Sequence, residues 1–174
     1  MADVATRIAA EKLRMHALTL RTEVRPSDRE RVGAITTATT MFHPPEVAVA
    51  AELVDDGLTK GKASDYHFLF VDEGDATLGY AIYGFNSMTQ SSWDLYWIAV
   101  HPECHGTGVG RLLLNEVESR SRAGGCTHLW VETAGGDNYK PTRSFYKAMG
   151  YKVAGELADF YAPGDAMIVF VKAL

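Results

Sequence analysis

"LYWIAVHPECHGTGVGRLLLNEVESR", residues 95–120, runs from an apolar stretch through three alternating glycines into a segment of helical periodicity. Gly106, Gly108 and Gly110 strip every second side chain between an expected strand and an expected helix. The usual reason for such stripping is a ligand that must touch backbone. After the loop, Val109, Leu112, Leu113 and Val117 share one helical face, and Gly124-Gly125 ends the run. "THLWVETA" (127–134) then reads as a strand. Strand, crossover helix, strand is a βαβ unit, so strands 91–100 and 127–134 are expected to be parallel, with a right-handed connection.

Working outward, "DYHFLFVDE" (65–73) and "ATLGYAIYGF" (76–85) are apolar, aromatic runs joined by a short turn. They predict an antiparallel hairpin that 91–100 continues as a meander. "LTLRTEV" (18–24) predicts a first strand. The helix after it has Ser27 as its cap and Arg31, Val32, Ile35 and Ala38 at helical spacing. His43-Pro44-Pro45 is expected to break that helix, and 46–58 to form a second one stopped near Gly57. Beyond the βαβ unit come a short helix over 139–149, closed by Gly150, and a final antiparallel pair around "APGD" (162–165). The fold class is α/β: a mixed sheet of six to seven strands with an antiparallel front, a parallel middle and helices on both faces.

The chain has 174 residues, enough for one domain with a real core. Residues 1–17 read as a helix-prone extension and 18–174 as a single domain. Asp3 and Glu11 interrupt the apolar centre that a signal peptide would need. No stretch has the apolar length of a membrane span. Cys104 and Cys126 give no disulfide framework, which suggests a reducing, cytoplasmic setting. The net charge of −5 argues against a nucleic-acid partner and suits a cationic one.

Three ligands compete for the glycine loop. A Walker A loop needs Lys-Ser/Thr after its last glycine, but Arg111-Leu112 follows Gly110. A dinucleotide fingerprint starting at Gly106 and Gly108 needs its third glycine at 111, where Arg111 stands. What remains is a diphosphate held by backbone N–H groups at a helix N-terminus, as in a coenzyme A site, or else a tight turn with no ligand. Arg111 in the first turn opposes the helix dipole, so an anionic partner there would help offset it. His101, Cys104 and His105 match no zinc spacing, and no metal is expected.

"VHPECHGTGVGRLLL" together with the later "FYKAMGY" resembles the GCN5-related N-acetyltransferases (GNAT), in which V-x-P leads into [QR]-x-x-G-x-[GA]. His105 stands where Gln or Arg is usual. The resemblance implies the acyl-CoA N-acyltransferase fold, with strands 91–100 and 127–134 splayed around the pantetheine arm of acetyl-CoA. It implies a bulge near Ile98, Ala99 and Val100, and a cofactor site formed by these three and by His105, Gly106, Thr107, Gly108, Val109, Gly110 and Arg111. It places a general base at Asp94, six positions before Val100, and a general acid at the Tyr of the "FY" pair, Tyr146. Period two puts Asp94, Tyr96, Ile98 and Val100 on one face, and Trp93, Leu95, Trp97 and Ala99 on the other. Burial would raise the pKa of Asp94 toward the range a base needs. A solvated Asp94 and a Tyr146 that only packs are the structural alternatives. The family's acceptor side corresponds to "MFHPPE" (41–46) and "DFYAPGD" (159–165), which makes Phe42, His43, Glu46, Tyr96 and Asp165 candidate acceptor residues. The function implied is transfer of acetyl from acetyl-CoA to a small-molecule or peptide amine by direct attack in a ternary complex. A homodimer is compatible with this. The alternative is a non-catalytic acyl-CoA-binding module.

Overall fold

Residues 17–174 are described in a computed structural model; the expected N-terminal extension lies outside them apart from its last residue. Seven strands form one sheet: β1 (Leu18–Arg21), β2 (His67–Glu73), β3 (Ala76–Phe85), β4 (Ser92–Val100), β5 (His128–Ala134), β6 (Lys152–Ala162) and β7 (Asp165–Ala173). Their order across the sheet is β1-β2-β3-β4-β5-β7-β6. Only β4 and β5 run parallel; every other neighbouring pair is antiparallel. β4 is therefore the central strand, as its two apolar faces require.

Helices cover both faces. α1 (Asp28–Ala38) and α2 (Pro44–Lys60) lie on one, and their Val32, Ile35, Ala50 and Val54 pack with Phe68, Phe70, Tyr80 and Ile82 of the sheet. α3 (Val109–Ala123) and α4 (Lys140–Ala148) lie on the other, where Leu113, Leu114, Val117 and Tyr146 meet Leu69, Ala81, Leu129 and Phe170. α3 is the crossover of the βαβ unit.

The structure corrects three local expectations. Pro44 and Pro45 do not merely end α1; they open α2, whose N-cap is His43. A proline in the first turn removes an N–H that would have no acceptor there anyway. Ser27 occupies the N-cap of α1 without a side-chain hydrogen bond. The third correction concerns β4. Its register against β3 slips between Ile82↔Trp97 and Tyr83↔Leu95, so the bulge is at Tyr96, not at Ile98 to Val100. One extra residue reverses the alternation beyond it. Trp93 and Leu95 face α3, and so do Ile98 and Val100, whereas Trp97 and Ala99 face α1 and α2. Asp94 and Val100 are thus on opposite faces.

A buried ion network ties the edge strand to the rest. The Arg21 guanidinium donates to Asp28 at 2.7 and 2.9 Å and to Asp72 at 2.7 Å, and lies 4.2 Å over the Phe70 ring. Asp28 also accepts from the Arg25 N–H at 2.7 Å. β1, the start of α1 and β2 are held at one point. Burial alone would raise the pKa of Asp72, but hydrogen bonds from Arg21 and Thr77 outweigh it and hold the carboxyl below its ordinary 3.8. A lowered carboxylate pKa adds stability above the unfolded value and loses it as pH falls through the folded one. Asp72→Asn should cost about 3 kcal/mol at pH 7, because it leaves part of a buried guanidinium uncompensated. Urea unfolding at neutral pH and near pH 3 should show that gap between wild type and variant shrinking with acid.

Candidate active site

The glycine loop is shaped by the backbone. Gly106 and Gly108 have φ of 74° and 93°, left-handed values that disfavour any residue with a Cβ. The His101 N–H bonds the Leu78 carbonyl at 2.8 Å, and the Thr107 hydroxyl bonds the Cys104 carbonyl at 2.7 Å. The His105 ring folds back, and its Nε2 lies 2.9 Å from the Val100 carbonyl oxygen. A carbonyl only accepts, so Nε2 carries the proton in this bond. His105 therefore fastens the loop to the end of β4. The first intrahelical bond of α3 runs from the Leu112 N–H to the Gly108 carbonyl at 2.9 Å. The N–H groups of Gly108, Val109, Gly110 and Arg111 have no backbone acceptor among the described residues. Four unpaired donors at the positive end of a helix form an anion cradle.

β4 and β5 pair only from Ser92↔His128 to Leu95↔Val131. Beyond Leu95 the strands diverge, and the backbone edges facing the gap are free. A cleft of about 710 Å³ lies against the glycine loop, the far half of β4 and α4. Ile98 and Val100 line it from the strand, Gly106, Gly108 and Arg111 from the loop, and Pro141, Phe145 and Tyr146 from α4. α4 is hung on the end of β5: Arg143 Nη1 donates to the carbonyls of Ala134 at 2.7 Å and Gly136 at 2.9 Å. Tyr146 packs against Tyr151 and Phe170, and its hydroxyl has no hydrogen-bond partner among the described residues. Burial raises its pKa, so the phenol keeps its proton.

The opposite face of the gap is acidic and aromatic. Asp94 lies one residue before the last β4–β5 pair and accepts from Asn86 Nδ2 at 2.9 Å. Burial raises its pKa, and the Asn86 hydrogen bond pulls the other way. Tyr96 at the bulge is exposed and meets Tyr66 edge-on at 5.3 Å; its pKa is raised by burial and then by the Asp94 charge. Further along, burial and then the charges of Glu46 and Asp165 push Tyr139 up to about 12. Burial and then Glu132, Glu46 and Asp165 raise Tyr161. The Tyr139 hydroxyl donates to the Met41 carbonyl at 2.6 Å and ties the segment before α4 to the α1–α2 loop.

The sequence pattern of the "Acetyltransferase (GNAT) domain" matches residues 64–153. The chain is 41% identical to a protein of Desulfovibrio desulfuricans assigned to the GNAT acetyltransferases, over 90% of this chain and 99% of that one, with a TM-score of 0.88.

This chain belongs to the GNAT acetyltransferases.

More distant structures share the fold. An aminoglycoside 6'-N-acetyltransferase complexed with coenzyme A aligns at 16% identity over 90% of this chain and 96% of that one, with a TM-score of 0.71. The ribosomal-protein-S18-alanine N-acetyltransferase of Escherichia coli aligns at 18% identity over 90% and 93%, also with a TM-score of 0.71. No curated protein sequence matches this chain.

In this GNAT domain, Ile98, Val100, His105, Gly106, Thr107, Gly108, Gly110, Arg111 and Tyr146 share one cleft. Ala99 and Val109 lie along the same backbone, but their side chains are buried in the cores on either face of the sheet. Asp94 and Tyr96 are at the apex of the gap, on the other face. Glu46 and Asp165 converge on Tyr139 and Tyr161, but each also has a structural task. Glu46 caps α2 by accepting from the His43 N–H at 2.7 Å, and Asp165 accepts from the Gly136 N–H at 3.0 Å. Phe42 packs against the core under α1 and α2. Cys104, Pro141, Thr142 and Phe145 line the cleft and escaped the sequence reading. Phe145 belongs to the "FY" pair, and the other three lie between that pair and the V-x-P stretch, which was the available signal. Among the described residues, no three His, Cys, Asp or Glu side chains gather as metal ligands do. No helix among them is long and apolar enough to cross a membrane.

A Cβ built on Gly108 meets nothing within 4 Å, so the left-handed φ is what excludes other residues there. Gly108→Val should reshape the cradle and abolish coenzyme A binding by calorimetry, while the melting temperature falls only slightly. Wild-type affinity in this variant would rule out the loop as the diphosphate site.

Proposed function

We propose that this chain acetylates an amine by direct attack on acetyl-CoA in a ternary complex. One observation carries the reading. The free N–H groups of Gly108, Gly110 and Arg111 and the unpartnered Tyr146 hydroxyl belong to residues that line one cleft along the splayed half of β4, and Asp94 sits at the apex on the reverse face.

Each residue then has a task. The loop N–H groups and Arg111 bind the diphosphate at the helix N-terminus. Ile98 and Val100 line the arm's channel with apolar surface, and free β4 backbone donors polarise the thioester carbonyl. Acetyl-CoA supplies the activated acyl group. Asp94, directly or through a water, takes the proton from the attacking amine. Tyr146 gives its proton to the departing sulfur; an ordinary thiol pKa is about 8.5, so transfer to the thiolate needs the close, dry placement that burial provides. His105 acts through the loop it fastens and is a positioning residue. The carboxylates of Glu46, Glu132 and Asp165 favour an acceptor that arrives as an ammonium ion.

The test is release of free thiol from acetyl-CoA across an amine library. Wild type should release thiol with at least one amine, and Tyr146→Phe should be roughly 10²-fold slower, with a nearly unchanged KM for acetyl-CoA. Coenzyme A binding without thiol release from any amine would sink the enzymatic reading. Full turnover in Tyr146→Phe would remove only the acid.

The Asp94 assignment makes a separate forecast. Asn86→Ala removes the bond that counteracts burial, so the pKa of Asp94 should rise further. A base must be ionised to act. The acidic limb of kcat/KM should therefore move to higher pH in Asn86→Ala, and an unmoved limb would take Asp94 out of the base role.

A further inference from the structure

On the face of α1 and α2, two segments approach each other from opposite sides of the gap between β4 and β5. α1 lies over β3 and β4, and Phe42 in the loop after it packs on the same cluster as Trp97 from the far half of β4. Tyr139 comes from the other side, five residues past the end of β5 at Ala134 and directly before α4. Its hydroxyl donates to the Met41 carbonyl at 2.6 Å. The bond therefore joins the β4 side to the β5 side, beyond Leu95 and Val131, where the strands stop pairing. Burial, and then the charges of Glu46 and Asp165, keep the proton on this phenol, so it remains a donor at neutral pH. Thr40, next to Met41, has φ of 55°. A β-branched residue is strained there, and such strain persists only where the surroundings hold it. The other hydrogen bonds of Thr39, Thr40 and Met41 among the described residues are local, to α1 or within the loop. The Tyr139 bond is the long-range one.

We propose that the Tyr139–Met41 bond is a crossbar over the amine's side of the gap, which makes Tyr139 a positioning residue for the amine and not for acetyl-CoA. This role rests on the acetyl-transfer reading. Ile98, Val100 and Tyr146 line the acetyl-CoA cleft on the α3 face, whereas Asp94 is on the face that the crossbar spans. An amine that gives its proton to Asp94 arrives from that face. Glu46 stands in the first turn of α2, just after the loop, and its charge is felt at both Tyr139 and Tyr161. Where the crossbar holds the loop therefore sets where that carboxylate stands. Tyr139 touches the amine's side only through the loop, and its chain neighbours Pro141 and Thr142 already belong to the other cleft.

Hydrogen–deuterium exchange and steady-state kinetics on the full chain test it together. Tyr139→Phe keeps the ring and removes the donor. Exchange at the Thr40 and Met41 amides should quicken roughly fivefold, the scale of one hydrogen bond. With the amine that releases thiol fastest in the library, KM for the amine should rise by roughly fivefold or more. KM for acetyl-CoA and the Kd of coenzyme A by calorimetry should stay within about twofold of wild type. A merely structural role would move both substrates together. Thr40→Gly relieves the strained φ without touching the bond, so adding it to Tyr139→Phe should recover most of the lost protection and most of the amine KM. Unchanged exchange in Tyr139→Phe, equal shifts for amine and acetyl-CoA, or no recovery with Thr40→Gly would each overturn the crossbar and leave the acetyl-transfer reading intact. Thiol release from no amine by wild type would overturn that reading, and the positioning role with it.

Discussion

The extra residue at Tyr96 is the constraint on which the rest depends. β4 must do two incompatible things: pair with β5 to close the sheet, and leave β5 to open a cleft. The bulge separates the two. Before it, Trp93 and Leu95 anchor the α3 face while β4 and β5 are still hydrogen-bonded. After it, Ile98 and Val100 return to that same face, and the backbone edge is free. Without the extra residue, the polar and apolar sides of the far half would be exchanged, and the cleft would be lined by Trp97 and Ala99.

The same residue divides the chemistry between the two faces of one sheet. The phosphate-type cradle and the proton-bearing Tyr146 are on the side of α3 and α4; Asp94, Tyr96 and the carboxylates are on the side of α1 and α2. In the proposed reaction the acid and the base therefore need not compete for one pocket, and burial shifts each pKa upward without their charges meeting. Arg21 and its two aspartates contribute at a distance. They fix α1 against β1 and β2, and α1 leads into the loop whose Met41 carbonyl receives the Tyr139 hydroxyl.

Much of this was legible in the sequence because it is local. The βαβ unit shows in the change of period at the glycine loop, and Gly106 and Gly108 are glycines because their φ is positive. The hairpins announce themselves by short turns between aromatic runs. The bulge did not, because a period-two reading assumes an unbroken strand, and nothing within "WDLYWIAV" marks where one residue is spare. Pro44-Pro45 carried two meanings, helix end and helix start, and only the capping contact of Glu46 with His43 decides between them. Arg143 was invisible for a different reason. An arginine on a short amphipathic helix looks solvent-facing, and its two carbonyl partners come from a strand whose end the sequence does not aim.

The Arg143 and His105 contacts make the gap a pair of levers on one fulcrum. The guanidinium hangs α4, and with it Tyr146, on the tip of β5; the imidazole hangs the glycine loop on the tip of β4. The strands part where Leu95 meets Val131, and five residues of extended chain from there to Val100 make an arm of about 16 Å. The angle between the strands at that point fixes how far apart the tips stand, and the two tips carry different halves of the cleft. The distance between the glycine loop and Tyr146 is thereby set by the geometry of two strand ends rather than by any contact between the two halves themselves.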